Sequence, residues 1–220
     1  MIKQLSPTDW AIMEKLSESQ MEMLGDVLSK LNRDDSSLDL NHKLAGQIDD
    51  EYNIEYPQEI KDFLFDTLRK YKPQITNIES TYTTPKSYTN FEFRFREDSW
   101  VNFQKKLEYN PIHHHSGDFS FVIWYKIPYK KENEDKIGPG KNDNLKTNGS
   151  FAFIYDIAPG KVDTKIIPGD TTMEGTLLIF PANLGHCVYP FYTSDEERIS
   201  FSGNFYHKSD YEVKIINTLM

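Results

Sequence analysis

The chain has 220 residues, 38% hydrophobic and 14% aromatic, and carries a formal net charge of −9. That hydrophobic share can fill a core, while the acidic balance argues against a nucleic-acid partner, which usually demands a basic face. A single cysteine, Cys187, excludes an internal disulfide framework and suits a reducing compartment. No stretch is long and apolar enough to span a bilayer, and the first residues lack a signal-peptide core, so the expectation is a cytoplasmic protein with no membrane partner. The pattern divides into a helical part over residues 1–74 and a strand-rich part over 75–220, taken together as one domain.

Residues 6–33 are expected to be helical. Ser6-Pro7-Thr8-Asp9 is a cap signal, and Trp10, Met13, Leu16, Leu24, Val27, Leu28 and Leu31 follow a 3.6-residue period, with a break near Ser17–Ser19. A short helix is expected over Lys43–Tyr52. Pro57–Tyr71 makes a firmer one, with Ile60, Phe63, Leu64, Leu68 and Tyr71 on one stripe and Pro73 as its terminator. From Ile75 the texture changes to strands. Phe91, Phe93 and Phe95 alternate with charged residues, as Val101 and Phe103 do with Asn102 and Gln104. Phe119–Ile127, Phe151–Ile157, Lys165–Ile167, Thr176–Phe180, Cys187–Tyr189 and Arg198–Tyr206 complete a set of short strands that suggests a sandwich or barrel. Tyr129–Gly149, polar and rich in Gly and Asn, interrupts the set as a long loop, a candidate lid.

Three of the six histidines, His113, His114 and His115, stand just before the apolar run Phe119–Ile127. Imidazole is the commonest metal ligand, and residues i and i+2 at a strand entrance project the same way, so His113 and His115 can grip one ion. The partner on the later strands is His186, which follows a glycine turn, a buried strand and a Pro-containing turn. Beyond it, Arg198, Ser200, Ser202 and Asn204 share one strand face and Ile199, Phe201 and Phe205 the other. An Arg with a Ser two residues on suits a carboxylate ligand, bound by two parallel charge-assisted hydrogen bonds and a hydroxyl. Asn102 and Gln104 share a face that could meet substrate. His42 and His207 are expected at the surface, and Cys187 beside the metal strand.

In their order and spacing these pieces, over about residues 98–207, resemble the Fe(II)- and 2-oxoglutarate-dependent dioxygenases. The segment Asn110-Pro111-Ile112-His113-His114-His115-Ser116-Gly117 and the later run from His186 to Arg198-Ile199-Ser200 are most similar to oxygenases of phages and marine bacteria. The resemblance implies a double-stranded β-helix, a jelly-roll-like pair of sheets with helices packed on one side, hence mainly β with flanking helices. It implies Fe(II) as cofactor and 2-oxoglutarate and O₂ as cosubstrates. It also implies Arg198 and Ser200 at the distal carboxylate of 2-oxoglutarate, with Tyr125 against that carboxylate as in prolyl hydroxylases.

The implied reaction is oxidative decarboxylation of 2-oxoglutarate coupled to hydroxylation of an amino-acid, peptide or protein side chain. One departure stands out: the family's His-x-Asp/Glu…His triad would place a carboxylate where this chain has His115. Three arrangements are open: an all-histidine triad of His113, His115 and His186, which strand geometry favours; Asp118 as the carboxylate beside His113 or His115; or a degenerate site. A cupin-like three-histidine metalloenzyme that does not use 2-oxoglutarate, and a non-catalytic binding domain on the same scaffold, are the rival classes.

Overall fold

The computed structural model describes residues 1–6, 9–42, 46–76, 93–142 and 144–207. Its strands form two antiparallel sheets. The larger has the order β1 (Ile2–Gln4), β2 (Trp10–Lys15), β9 (Thr176–Pro181), β6 (Phe119–Lys126), β11 (Arg198–His207), β4 (Phe93–Gln104), β3 (Glu51–Asn53). The smaller runs β5 (Asn110–His113), β10 (Gly185–Val188), β7 (Phe151–Ala158), β8 (Lys161–Ile167).

Strand alternation sorts the apolar residues into two cores. On β6, Phe119, Phe121 and Ile123 face one way and Val122 and Trp124 the other; on β9, Leu177 and Ile179 oppose Leu178 and Phe180. Val122, Trp124, Leu178 and Phe180 meet Phe151 and Phe153 of β7 and Ile167 of β8 between the sheets. The first set lies under two helices, α1 (Glu18–Lys30) and α2 (Gln58–Thr76). α1 opens on a capping box in which Ser17 and Gln20 satisfy each other's backbone N–H. It contributes buried Leu24. α2 buries Ile60, Leu64, Leu68, Tyr71 and Ile75 along one stripe, each worth about 1.5–3 kcal/mol relative to exposure. The expected jelly-roll pair of sheets with helices on one side is therefore present.

Three local expectations are corrected. Residues 10–15 form a strand, not the start of a helix. Trp10 and Ile12 join the helix-side core while Ala11 and Met13 face the other sheet, and an apolar run this short fits either period. Ser6 and Asp9 bond one another between β1 and β2 instead of capping a helix, and the cap of α1 is Ser17. The N-terminal part is thus not purely helical: β1, β2 and β3 extend the large sheet. Of the helix expected at Lys43–Tyr52, residues 43–45 lie outside the described residues, and the remainder is irregular before β3 begins at Glu51. Pro73 does not end α2. It lies exposed in the final turn, where water can reach the carbonyl its missing N–H leaves unmet, and Ile75 beyond it is fully buried. Phe91 lies outside the described residues. No helix among the described residues is long and apolar enough to cross a membrane.

The Tyr129–Gly149 segment is fastened at several points. It contains a helical turn, α3 (Lys131–Glu134), and a 3₁₀ turn at Pro139–Asn142. The fully buried Glu134 carboxylate accepts from the backbone N–H of Tyr192 and Thr193, each at 2.8 Å, and from the Thr193 hydroxyl. Asn148 Nδ2 donates to the carbonyls of Glu134 and Ile137, and Lys131 Nζ to those of Lys146 and Asn148. A segment so tied is a strut and not a free lid.

Candidate active site

β5 and β10 are antiparallel neighbours whose register sets His113 opposite His186. His115 lies past the end of β5, where its N–H donates to the carbonyl of Ala182 at 2.8 Å and its ring leans on Trp100. The turn thus returns His115 to the other two. Ring centroids stand 4.3 Å apart for His113 and His186, and 5.0 Å for each ring with His115. One nitrogen from each ring lies within 4.8 Å of the others, and the Nε2 atoms of His115 and His186 are 3.2 Å apart.

Backbone carbonyls fix two of the tautomers. His113 Nδ1 is 2.7 Å from the carbonyl of Pro111, and His186 Nδ1 is 2.8 Å from that of Leu184. A carbonyl only accepts, so the proton sits on Nδ1 and Nε2 keeps its lone pair. Burial lowers the basicity of His113, and burial together with His113 and His115 takes His186 well below the ordinary range. Neutral imidazoles are the ligand form. One nitrogen from each of the three rings, converging on one point, fits a divalent transition ion such as Fe(II). Asp118 is turned elsewhere: its Oδ2 accepts from the N–H of His207 at 2.8 Å. His114 is exposed.

The same cleft holds Arg198, 4% exposed, on the inter-sheet face of β11. Its guanidinium donates to the Tyr129 hydroxyl at 2.7 Å, to the carbonyl of Gly149 at 3.0 Å and to the Gln104 side-chain oxygen. All three acceptors are neutral. The neighbouring acids are engaged by other cations, Glu196 by Lys126 and Glu197 by Arg33. Among the described residues no carboxylate pairs with Arg198, so a buried positive charge faces the cleft without a counter-ion. Ser200, on the same face, accepts from Asn102 Nδ2 at 3.2 Å, which leaves its own proton to donate.

Tyr125 is not brought to this cleft. It shares the helix-side face of β6, where its ring meets Phe201 at 5.7 Å and its hydroxyl lies beside Gly25. Strand parity puts Trp124 in the cleft and Tyr125 behind the sheet. The tyrosine at the arginine is Tyr129, past the end of β6, whose hydroxyl donates to the carbonyl of Gly149 and receives Arg198. Gly149 has a φ of 66°, and a Cβ there would lie 2.6 Å from the Tyr129 ring. His207 is also unlike its expectation: it is buried against Phe93. Cys187 is buried on β10, next to His186, as expected.

Glu51 is the cleft residue that sequence reasoning missed. It is 2% exposed and lines the cleft from β3, opposite Asn102 on β4. Burial, reinforced by Glu108 and Asp39, pushes its carboxyl up to about 8. In the run Asp49-Asp50-Glu51 it looks like one more solvated acid. Only its alternation with Tyr52, once β3 is known to pair with β4, turns it inward.

Residues 98–204 match the family described as "Putative 2OG-Fe(II) oxygenase". No curated protein matches the chain. Among solved structures, it is similar to a Pseudomonas putida prolyl-4-hydroxylase at 13% identity and a TM-score of 0.50, covering 90% of this chain and 92% of that one. It is also similar to a Trichoplax adhaerens prolyl hydroxylase, solved with a hypoxia inducible factor oxygen degradation domain peptide fragment. That likeness has 12% identity and a TM-score of 0.50, and covers 92% of this chain and 86% of that one. The shared fold is the double-stranded β-helix. The matched segment carries His113, His115, His186 and Arg198 and lies within that fold, so this part of the chain is similar to the 2OG-Fe(II) oxygenases.

Proposed function

We propose that the protein is an Fe(II)- and 2-oxoglutarate-dependent dioxygenase that hydroxylates an amino-acid, peptide or protein side chain, in the manner of prolyl hydroxylases. The observation that carries this reading is the pairing, in one cleft, of three converging imidazoles with a buried arginine that lacks a counter-ion. His113, His115 and His186 would hold the iron, leaving positions for other ligands. Iron, when bound, supplies O₂ activation coupled to decarboxylation of 2-oxoglutarate to succinate and CO₂.

The chain's own residues have the following tasks. Arg198 takes the distal carboxylate of 2-oxoglutarate through parallel N–H donors, and Ser200 adds its hydroxyl proton. Tyr129, Gln104 and Gly149 hold the guanidinium in place before the ligand arrives, so little ordering is left to pay on binding. Trp100, Trp124 and Phe151 wall the cleft and exclude water from the reacting centre. A peptide-borne or free amino acid as substrate is carried over from the prolyl hydroxylases that the fold resembles. A cytoplasmic setting belongs to the same reading and rests on the single cysteine.

A three-histidine metalloenzyme that makes no use of 2-oxoglutarate would leave Arg198 buried with no task. Succinate release from 2-oxoglutarate, with Fe(II) and O₂, separates the two. Metal-loaded protein should release succinate even without a primary substrate. Arg198→Met should weaken 2-oxoglutarate binding by roughly 30- to 100-fold, the worth of a lost charge-assisted pair, while Fe(II) affinity holds. No succinate from loaded protein, or unchanged 2-oxoglutarate binding in the variant, would refute the proposal.

A further inference from the structure

The cleft holds a second buried ionisable group, Glu51, that Fe(II) and 2-oxoglutarate do not account for. Glu51, Asn102 and Ser200 form one row across the inter-sheet face, through the β3–β4 and β4–β11 registers. Gln104 and Arg198 form the next row, two residues along, or roughly 7 Å away. Glu51 and Arg198 do not pair with each other: Arg198 is bonded to Tyr129, Gly149 and Gln104. Among the described residues Glu51 Oε1 has no hydrogen-bond partner, and the same holds for the buried side-chain oxygens of Asn102 and Asn110, which line the same cleft.

The two amides can turn to offer either an oxygen or an NH₂, whereas an ionised carboxylate can only accept. The basic groups on the elements around the row are already engaged, Arg198 by three neutral acceptors. Lys105 is held by Asp50, and Arg33 by Asp50 and Glu197. The other charges acting on Glu51 are Glu108 and Asp39, both negative. A buried carboxyl in an electronegative corner, with its oxygen unmet, lowers the stability of the fold. Such a group is retained where a ligand completes it.

We propose that Glu51, flanked by Asn102 and Asn110, is the subsite for a positively charged nitrogen of the primary substrate, which is therefore a basic compound carrying an ammonium or guanidinium group. This deepens the dioxygenase reading and rests on it for the identity of the cleft. Arg198 then takes the acidic cosubstrate and Glu51 the basic substrate, and charge sorts the two ligands between neighbouring rows of one cleft.

The test is direct binding, which needs no turnover. Isothermal titration of the Fe(II)- and 2-oxoglutarate-loaded protein, held anaerobically, would use three matched pairs: L-arginine against L-citrulline, L-lysine against L-norleucine, and L-prolinamide against N-acetyl-L-prolinamide. In at least one pair the cationic member should bind roughly tenfold or more tightly than its neutral partner, the worth of one charge-assisted hydrogen bond. Glu51→Gln, which keeps the side-chain volume, should abolish that preference and yet melt no lower than the parent. Glu51→Asp should restore part of the preference. In buffers of different ionisation heat, binding at pH 7 should release close to one proton as Glu51 ionises against the cation. The proposal is overturned if no pair shows a cationic preference, all three failing to bind included, or if Glu51→Gln keeps it. A failed succinate assay would instead refute the dioxygenase reading, and the titration would still report on the subsite.

Discussion

At the scale of single residues, the point of chemistry is His115, which stands where the family's pattern has a carboxylate. His113 and His186 are cross-strand neighbours with tautomers set by carbonyls, and His115 reaches them from the following turn. Asp118 is spent on the backbone of β11. His115→Ala should therefore lower Fe(II) affinity by at least about tenfold, whereas Asp118→Ala should leave it within about twofold and cost roughly 1–3 kcal/mol of stability through the orphaned His207 N–H. Fe(II) titration and thermal melting of both variants check this; a larger loss of affinity in the aspartate variant would reverse the ligand assignment. Replacing His115 with Asp would offer a negative ligand at this position and should tighten Fe(II). That the histidines and Arg198 gather in one cleft was legible in the sequence because few side chains do their chemistry and because strand parity groups residues two apart. The tyrosine was not. Tyr125 and Tyr129 fall four residues apart, and only the end of β6 at Lys126 decides which of them meets Arg198.

At the scale of elements, the strands of the core were legible wherever an apolar run was bounded by turn residues, as in β6, β7, β9 and β11. The N-terminal 10–15 run was not, since Trp10 and Met13 fit a helical stripe as well as a buried strand, and its pairing with β9, more than 160 residues away, decides the matter. The polar Tyr129–Gly149 segment misled in another way. Its composition suggests a loop, but the partners of Glu134, Lys131 and Asn148 are distant in sequence and give no local signal. The strut also ends on Gly149, whose carbonyl holds Arg198. Glu134→Ala would remove the acceptor of the Tyr192 and Thr193 N–H groups and should cost about 1–3 kcal/mol. It should also weaken 2-oxoglutarate by several-fold through the loosened arginine, with little change in Fe(II) affinity. Melting and 2-oxoglutarate titration report the two effects separately. Lost stability with unaltered 2-oxoglutarate binding would show that the strut does not position Arg198.

At the scale of the molecule, the net charge of −9 hides an internal separation of charge. Most acids are exposed or paired at the surface, while one guanidinium and one carboxyl are buried in the cleft between the sheets. The buried carboxyl makes overall stability depend on pH in a defined direction. Glu51 titrates near 4.5 in the unfolded chain and at about 8 in the fold, raised by burial and then by Glu108 and Asp39, with Arg198 one row away. Below pH 4.5 both states carry the proton and the fold bears no penalty. Between 4.5 and 8 the unfolded chain releases the proton and the fold keeps it, so stability falls as pH rises. Above 8 the loss is complete, with a ceiling of about 5 kcal/mol at roughly 1.4 kcal/mol per pKa unit. Glu51→Gln removes this one slope and leaves every other titration in place. The difference in melting temperature between variant and parent should therefore be near zero at pH 4.5, grow in favour of the variant through pH 8, and level off beyond it. A difference that stays flat across that window would mean that Glu51 ionises in the fold as it does in water, and that the cleft is not the dry, unpaired environment its burial implies.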